Sequence, residues 1–238
     1  MEVIGIIKEN LEAIEKNILA ACARSGRRRE EVILVAVSKN QGTEAILTAY
    51  EQGIRVFGEN RIQELVAKME LLPANIEWHM IGNLQRNKVK YIVGKVRLIH
   101  SVDSFKLAEE ISKEACKREI IQDILIEVNV ALEESKHGVK PGEVSELIKD
   151  ISDLPGLQVK GLMTIAPYVV NGEENRLYFE KLKHLSVDIT AKNVDNTNID
   201  DLMVLSMGMT GDYIVAVEEG ASLVRIGTGI FSPGEPQD

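Results

Sequence analysis

The sequence predicts a single (β/α)8 barrel (TIM barrel), and three observations predict it. Strand-like and helix-like segments alternate eight times across 238 residues, the repeat count and length this architecture needs. The first strand-like run, VILVAVS at 32–38, is almost wholly apolar, as in a parallel strand buried on both faces. No GxGxxG follows any of the runs, which ranks the other alternating arrangement, a doubly wound open sheet, second.

Each element has its own signal. Ile4, Ile7, Leu11, Ile14 and Ile18 recur every three or four residues, which is one face of an amphipathic helix ahead of the first strand. After 32–38 the strand candidates are 54–57, 76–81, 96–100, 121–130, 157–164, 201–205 and 222–226. Helical patterns fall at 43–52, 61–71, 84–93, 104–118, 141–152, 173–189 and 213–219. Asp103 is the expected N-cap of the 104–118 helix, and Pro141 opens the next one, where its missing N–H costs nothing. Gly53 and Gly220 stand where helices should end, each just before a strand. No linker or shift in composition interrupts the chain, so residues 1–238 are read as one domain.

Composition narrows the function. Lys and Arg number 28 against 37 Asp and Glu, a net charge of −9. A general nucleic-acid binder needs the opposite balance, although a local basic pocket for a small anion is still open. The longest uncharged stretch, 161–172, is twelve residues, too short to span a bilayer. Glu2, Lys8, Glu9, Glu12 and Glu15 interrupt the N-terminal apolar stretch, so it does not read as a secretory signal. Cys22 and Cys116 show no metal or redox spacing. A reduced, cytoplasmic protein is expected.

Functional groups of such a barrel gather at the C-terminal ends of the strands. Lys39 follows VILVAVS directly. A lysine at the rim of an apolar strand is expected to be partly desolvated, which favours the neutral amine that attacks carbonyls; otherwise it is a surface lysine that ends a strand. The seventh strand runs into LSMGMTGDY, with Ser206 and Gly208 at its tip, and the eighth into VRIGTGIF, with Gly227, Thr228 and Gly229. Loops after strands seven and eight often bind phosphate, and the hydroxyls of Ser206 and Thr228 could donate to it. Ordinary turn glycines are the plainer explanation. Arg225, near the end of the eighth strand, either pairs with a core carboxylate or faces an aromatic nitrogen of a ligand. Together these groups describe a site for a phosphorylated aldehyde, of which pyridoxal 5′-phosphate (PLP) is the obvious example.

The segments LVAVSKN (34–40), FGENRIQE (57–64), EWHMIGNLQRNK (77–88), HSVDS (100–104), ESKHGV (134–139), GLMTI (161–165) and LSMGMTGDYIVAVEEGASLVRIGTGIF (205–231) carry a resemblance. The chain resembles the YggS/PROSC family of pyridoxal phosphate homeostasis proteins. That implies a type III PLP fold, similar to the barrel of alanine racemase without its second, β-rich domain. It also implies covalent attachment of PLP to Lys39, phosphate held by Ser206, Gly227 and Thr228, and Arg225 at the pyridine nitrogen. Asn60 and Met163 would line the ring's surroundings. Thr210 replaces a more usual serine, and Gly229 and Ser232 replace alanine and glycine; neither change touches the expected attachment point.

The resemblance implies a carrier that buffers and delivers PLP to apo-enzymes, acting as a monomer and without turnover. A PLP-dependent racemase is the alternative, and it needs a second base, for which Tyr168 and Tyr213 are the nearest candidates. A Schiff-base aldolase of sugar phosphates is a third reading, separated from both by the absence of bound colour. His79 is either a rim group or a hydrogen-bonded structural histidine. Lys136 is either an exposed loop lysine or an attractor of phosphate at the same rim.

Overall fold

The computed structural model describes residues 2–134, 136–192 and 204–233. Eight parallel strands close into a barrel in the order β1 to β8, with β1 paired to β8. They are β1 Ile33–Val37, β2 Val56–Glu59, β3 Glu77–Met80, β4 Leu98–Val102, β5 Gln122–Glu127, β6 Leu157–Met163, β7 Val204–Ser206 and β8 Leu223–Ile226. The helices are α1 Glu2–Arg24, α2 Thr43–Glu51, α3 Ile62–Leu71, α4 Phe105–Lys117, α5 Val144–Ser152, α6 Arg176–Lys192, α7 Tyr213–Glu218 and α8 Thr228–Phe231. The barrel expected from the alternation is therefore the observed fold, and an open sheet is excluded by the β1–β8 ladder, in which Val35 faces Arg225. No helix among the described residues is long and apolar enough to cross a membrane.

Several expected boundaries move. The 121–130 strand ends at Glu127, and Val128 is joined to Val139 by a single bridge. The 84–93 helix is a 3-10 segment over Arg86–Tyr91. Gly94 follows almost at once with φ 77, and six residues cannot repay the nucleation of an α-helix. The N-cap of α4 is Ser104 rather than Asp103. Residues 201–203 of the expected seventh strand lie outside the described residues.

The eighth helix is only one turn, and α1 takes its place in the outer ring. Ile7, Ile14 and Ile18 on α1 are fully buried, each worth about 1.5–3 kcal/mol against exposure. The helix packs on α7, α8 and α2. Asn10 Nδ2 donates to the carbonyls of Ile230 at 3.0 Å and Ser232 at 3.1 Å, tying the start of the chain to α8.

The core has two layers. Between strands and helices lies a large apolar layer that includes Phe57 and Trp78, whose ring centroids are 5.9 Å apart. Within the bore is a small apolar cluster of Val35, Leu98, Leu125, Met163 and Leu223. The rest of the bore is polar: His79, His100, Ser206 and Arg225 are all buried. Burying that many polar groups is tolerable only when they satisfy one another.

Candidate functional site

Parallel strands bring all eight C-terminal ends to one rim, the mouth of the barrel. Lys39 stands there two residues past β1, in a turn closed by the Gln41 N–H donating to the Ser38 carbonyl at 3.0 Å. Its neighbour Asn40 holds a left-handed φ of 60. The lysine is exposed, so the expected partial desolvation is absent, because the strand stops at Val37 and the side chain leaves its apolar neighbours.

What is built around Lys39 is its backbone. Lys68, on α3 and buried, donates from Nζ to the Ser38 carbonyl at 2.7 Å, Glu59 Oε1 at 2.6 Å and Glu64 Oε2 at 3.4 Å. The Ser38 hydroxyl donates to the same Glu59 oxygen at 2.6 Å. Glu64 Oε2 also accepts the Asn40 N–H at 3.0 Å, and that bond holds its carboxyl below the usual range. One ammonium, its three donors matched to three acceptors, thus braces the residues on both sides of Lys39. Glu59 Oε2, by contrast, is buried without a hydrogen-bond partner among the described residues.

Across the β1–β8 ladder, Arg225 is buried and makes no ion pair among the described residues. Its guanidinium donates to Ser206 Oγ at 2.5 Å and to the Thr164 carbonyl at 2.8 Å. Burial lowers its pKa to about 10, against the pull of Asp212 and Glu127. It is therefore still charged at neutral pH, with N–H donors beyond these two bonds. Ser206 Oγ lies 2.9 Å from His100 Nδ1. The expectation that this hydroxyl donates to phosphate does not suit the arrangement, since it is engaged inside the bore.

Gly227 is half-buried under the end of β1, where an added Cβ would lie 3.3 Å from Val37 Cβ. Thr228 is exposed, and its hydroxyl donates to Thr210 Oγ1 at 3.1 Å. The Gly229 N–H donates to that same Thr210 oxygen at 3.3 Å. Gly208 has φ 88, and a Cβ there would come 2.5 Å from Ala216 Cβ. The two loops are shaped for bare backbone. A cavity of about 380 Å³ opens beside them, lined by Lys136, Ile165, Met209, Thr210, Asp212 and Thr228.

The structure therefore gathers Ser206, Arg225, Gly227 and Thr228 on the β7–β8 side and places Lys39 one strand away. Asn60 sits half-buried in a bend after β2. Met163 is buried at the C-terminal end of β6, level with Glu127 and Ser206, and packs in the apolar cluster of the bore. Lys136 does face the rim, where Nζ donates to the Ala166 carbonyl at 3.1 Å and pairs with Glu133 at 2.6 Å. Tyr213 is buried, and its hydroxyl accepts from Asn17 Nδ2 of α1 at 3.0 Å, which turns it away from the mouth. Tyr168 is 95% exposed in the loop after β6.

Sequence reasoning missed Glu127, and of its two readings of His79 the hydrogen-bonded structural one holds. Glu127, at the end of β5, is a buried carboxyl with its pKa raised, mainly by burial and then by the Asp103 charge. His79 is not a rim residue. It lies inside the bore with Nδ1 3.0 Å from His100 Nε2. The inward alternation of β3 was a usable signal for His79, but its partner on β4 was not visible from spacing.

Known proteins share this architecture and sequence. A family model described as the alanine racemase N-terminal domain matches residues 10–233. The chain is similar to a pyridoxal phosphate homeostasis protein of Aquifex aeolicus, 48% identical over 225 residues, 94% of this chain and 96% of that one. It is similar to the protein of that name in Escherichia coli K12, 36% identical over 230 residues, 94% and 95% of the two chains. Among solved structures, PipY of Synechococcus elongatus PCC7942 with PLP bound superposes with a TM-score of 0.80 at 33% identity, covering 95% of this chain and all of that one. Alanine racemase of Corynebacterium glutamicum shares the fold at 15% identity, TM-score 0.69, over 95% of this chain and 62% of that one.

Proposed function

Because the chain belongs to the alanine racemase N-terminal domain family, and within it to the pyridoxal phosphate homeostasis proteins, we propose that it binds PLP at the barrel mouth and passes it on to apo-enzymes. In this reading it buffers the cofactor and performs no turnover of its own. Lys39 is the covalent attachment point, through reversible condensation of its amine with the ligand's aldehyde.

The observation that carries the reading is Arg225. A buried guanidinium bound, among the described residues, only to uncharged oxygens is costly unless something at the mouth uses its spare donors. A pyridine nitrogen fits: it accepts a hydrogen bond and, facing a fixed positive charge, stays unprotonated. The ring is then a weak electron sink, which suits carriage. Gly208 packs too closely on Ala216 to carry a Cβ and Gly227 lies tight against Val37, which fixes the backbone of the two loops, and with the exposed Thr228 hydroxyl these loops are where the phosphate would bind. Ser206 serves that site by holding Arg225. Exposure of Lys39 suits a carrier too, because water reaches the linkage and reverses it.

The test is mass spectrometry of the borohydride-reduced protein after loading with PLP. One label on the peptide containing Lys39, absent in Lys39→Ala, is expected. A label elsewhere, or a Lys39→Ala protein that stays yellow, overturns the assignment. Steady racemisation of any common amino acid by the loaded protein overturns the carrier role.

A further inference from the structure

The hydrogen bonds around Ser206 do not stop at His100. His100 Nε2 lies 3.0 Å from His79 Nδ1, and His79 Nε2 lies 3.4 Å from Glu77 Oε1. Glu77 opens β3, so it sits at the floor of the barrel, and its side chain is 46% exposed. His79 follows two residues later on the same inward face. A continuous chain therefore runs Glu77–His79–His100–Ser206–Arg225 from floor to mouth, and its His100–Ser206 link crosses the bore from β4 to β7.

The chemistry of its ends, with one proton on each ring, sets the direction of every proton in it. An arginine can only donate, and an ionised carboxylate can only accept. The hydrogen bond from His79 keeps Glu77 ionised below the ordinary carboxylate range. Burial, above all, keeps His100 neutral. When His79 holds one proton, donated from Nε2 to Glu77, its Nδ1 accepts, so His100 carries its proton on Nε2. His100 Nδ1 must then accept from the Ser206 hydroxyl, whose oxygen is left to receive Arg225. Every link donates toward the floor.

We infer that Glu77, His79 and His100 are positioning residues that point the Ser206 hydroxyl inward and so hold the Arg225 guanidinium in place for the ligand ring. The inference rests on the PLP reading for its functional half only. Arg225 is fixed at one end by Ser206 and at the other by the Thr164 carbonyl, and a hydroxyl that is already donating is a stronger acceptor. A residue on the floor thereby reaches the ligand's ring nitrogen without touching the ligand.

Two measurements test it. In the ligand-free protein, ¹⁵N-histidine NMR should show both His79 and His100 as Nε2–H tautomers. Glu77→Gln removes the anchor, because an amide can donate as well as accept, and His100, two hydrogen bonds away, should shift toward a mixture of tautomers. An Nδ1–H tautomer at His100 in the wild type, or an unmoved His100 in Glu77→Gln, overturns the relay. In the loaded protein, Glu77→Gln and His100→Leu should each shift the absorption maximum of bound PLP. Each should also weaken its affinity about threefold to tenfold, the net worth of one hydrogen bond. Combining them should add little. Unshifted spectra, or effects that add in full, overturn the positioning role. Absence of a Lys39 label in the wild type would sink the PLP reading instead, and leaves the tautomer result standing.

Discussion

A buried ammonium with three acceptors leaves a stranded carboxylate when it is removed. Lys68→Met strips the counter-ion from the fully buried Glu59 and is expected to cost about 3–5 kcal/mol. The urea midpoint should fall with an unchanged slope, and Lys68→Met combined with Glu59→Gln should recover part of the loss. His100 makes a second prediction at this scale. Its folded pKa is depressed well below the ordinary 6.5, first by burial and then by His79 and Arg225. Below about pH 6.5 the unfolded chain takes up a proton that the folded ring refuses, so stability falls by about 1.4 kcal/mol per pH unit. Above that pH this contribution is flat. Urea midpoints taken from about pH 8 to about pH 5 should show the decline only on the acid side, and His100→Gln should remove that part of it.

At the scale of elements, the ladder between β6 and β7 depends on Gly161. A Cβ there would come 1.9 Å from the Val204 carbonyl oxygen, against backbone that cannot rotate away. Gly161→Ala should cost the upper end of the roughly 1–3 kcal/mol typical of overpacking, a fall of roughly 6–12 °C in Tm. Strands and helices with a clear apolar period were legible in the sequence to within a few residues, as β1, α2 and α3 show. The 84–93 segment was not. Its apolar residues have helical spacing, but the positive φ at Gly94 ends the segment before an α-helix can propagate. The proposed site was half legible. Lys39, Gly227 and Thr228 announce themselves by following apolar runs, whereas the Lys68 brace and the histidine relay join residues with no common spacing, and only closure of the barrel brings them together.

For the whole molecule, the division of labour between the two layers matters most. The outer layer is apolar and redundant, while the bore is small and joins an apolar cluster to a hydrogen-bonded polar chain, so damage should follow depth rather than distance from the mouth. Ring closure has another consequence. Asn10 and its acceptor Ile230 are 220 residues apart, roughly 10–45 s of ribosomal synthesis. Throughout that interval the nascent N-terminal segment carries an oily stripe whose final seat has not yet been made. The apolar stripe of α1 is thus among the last parts to settle, and it is the natural target for a holding chaperone during translation.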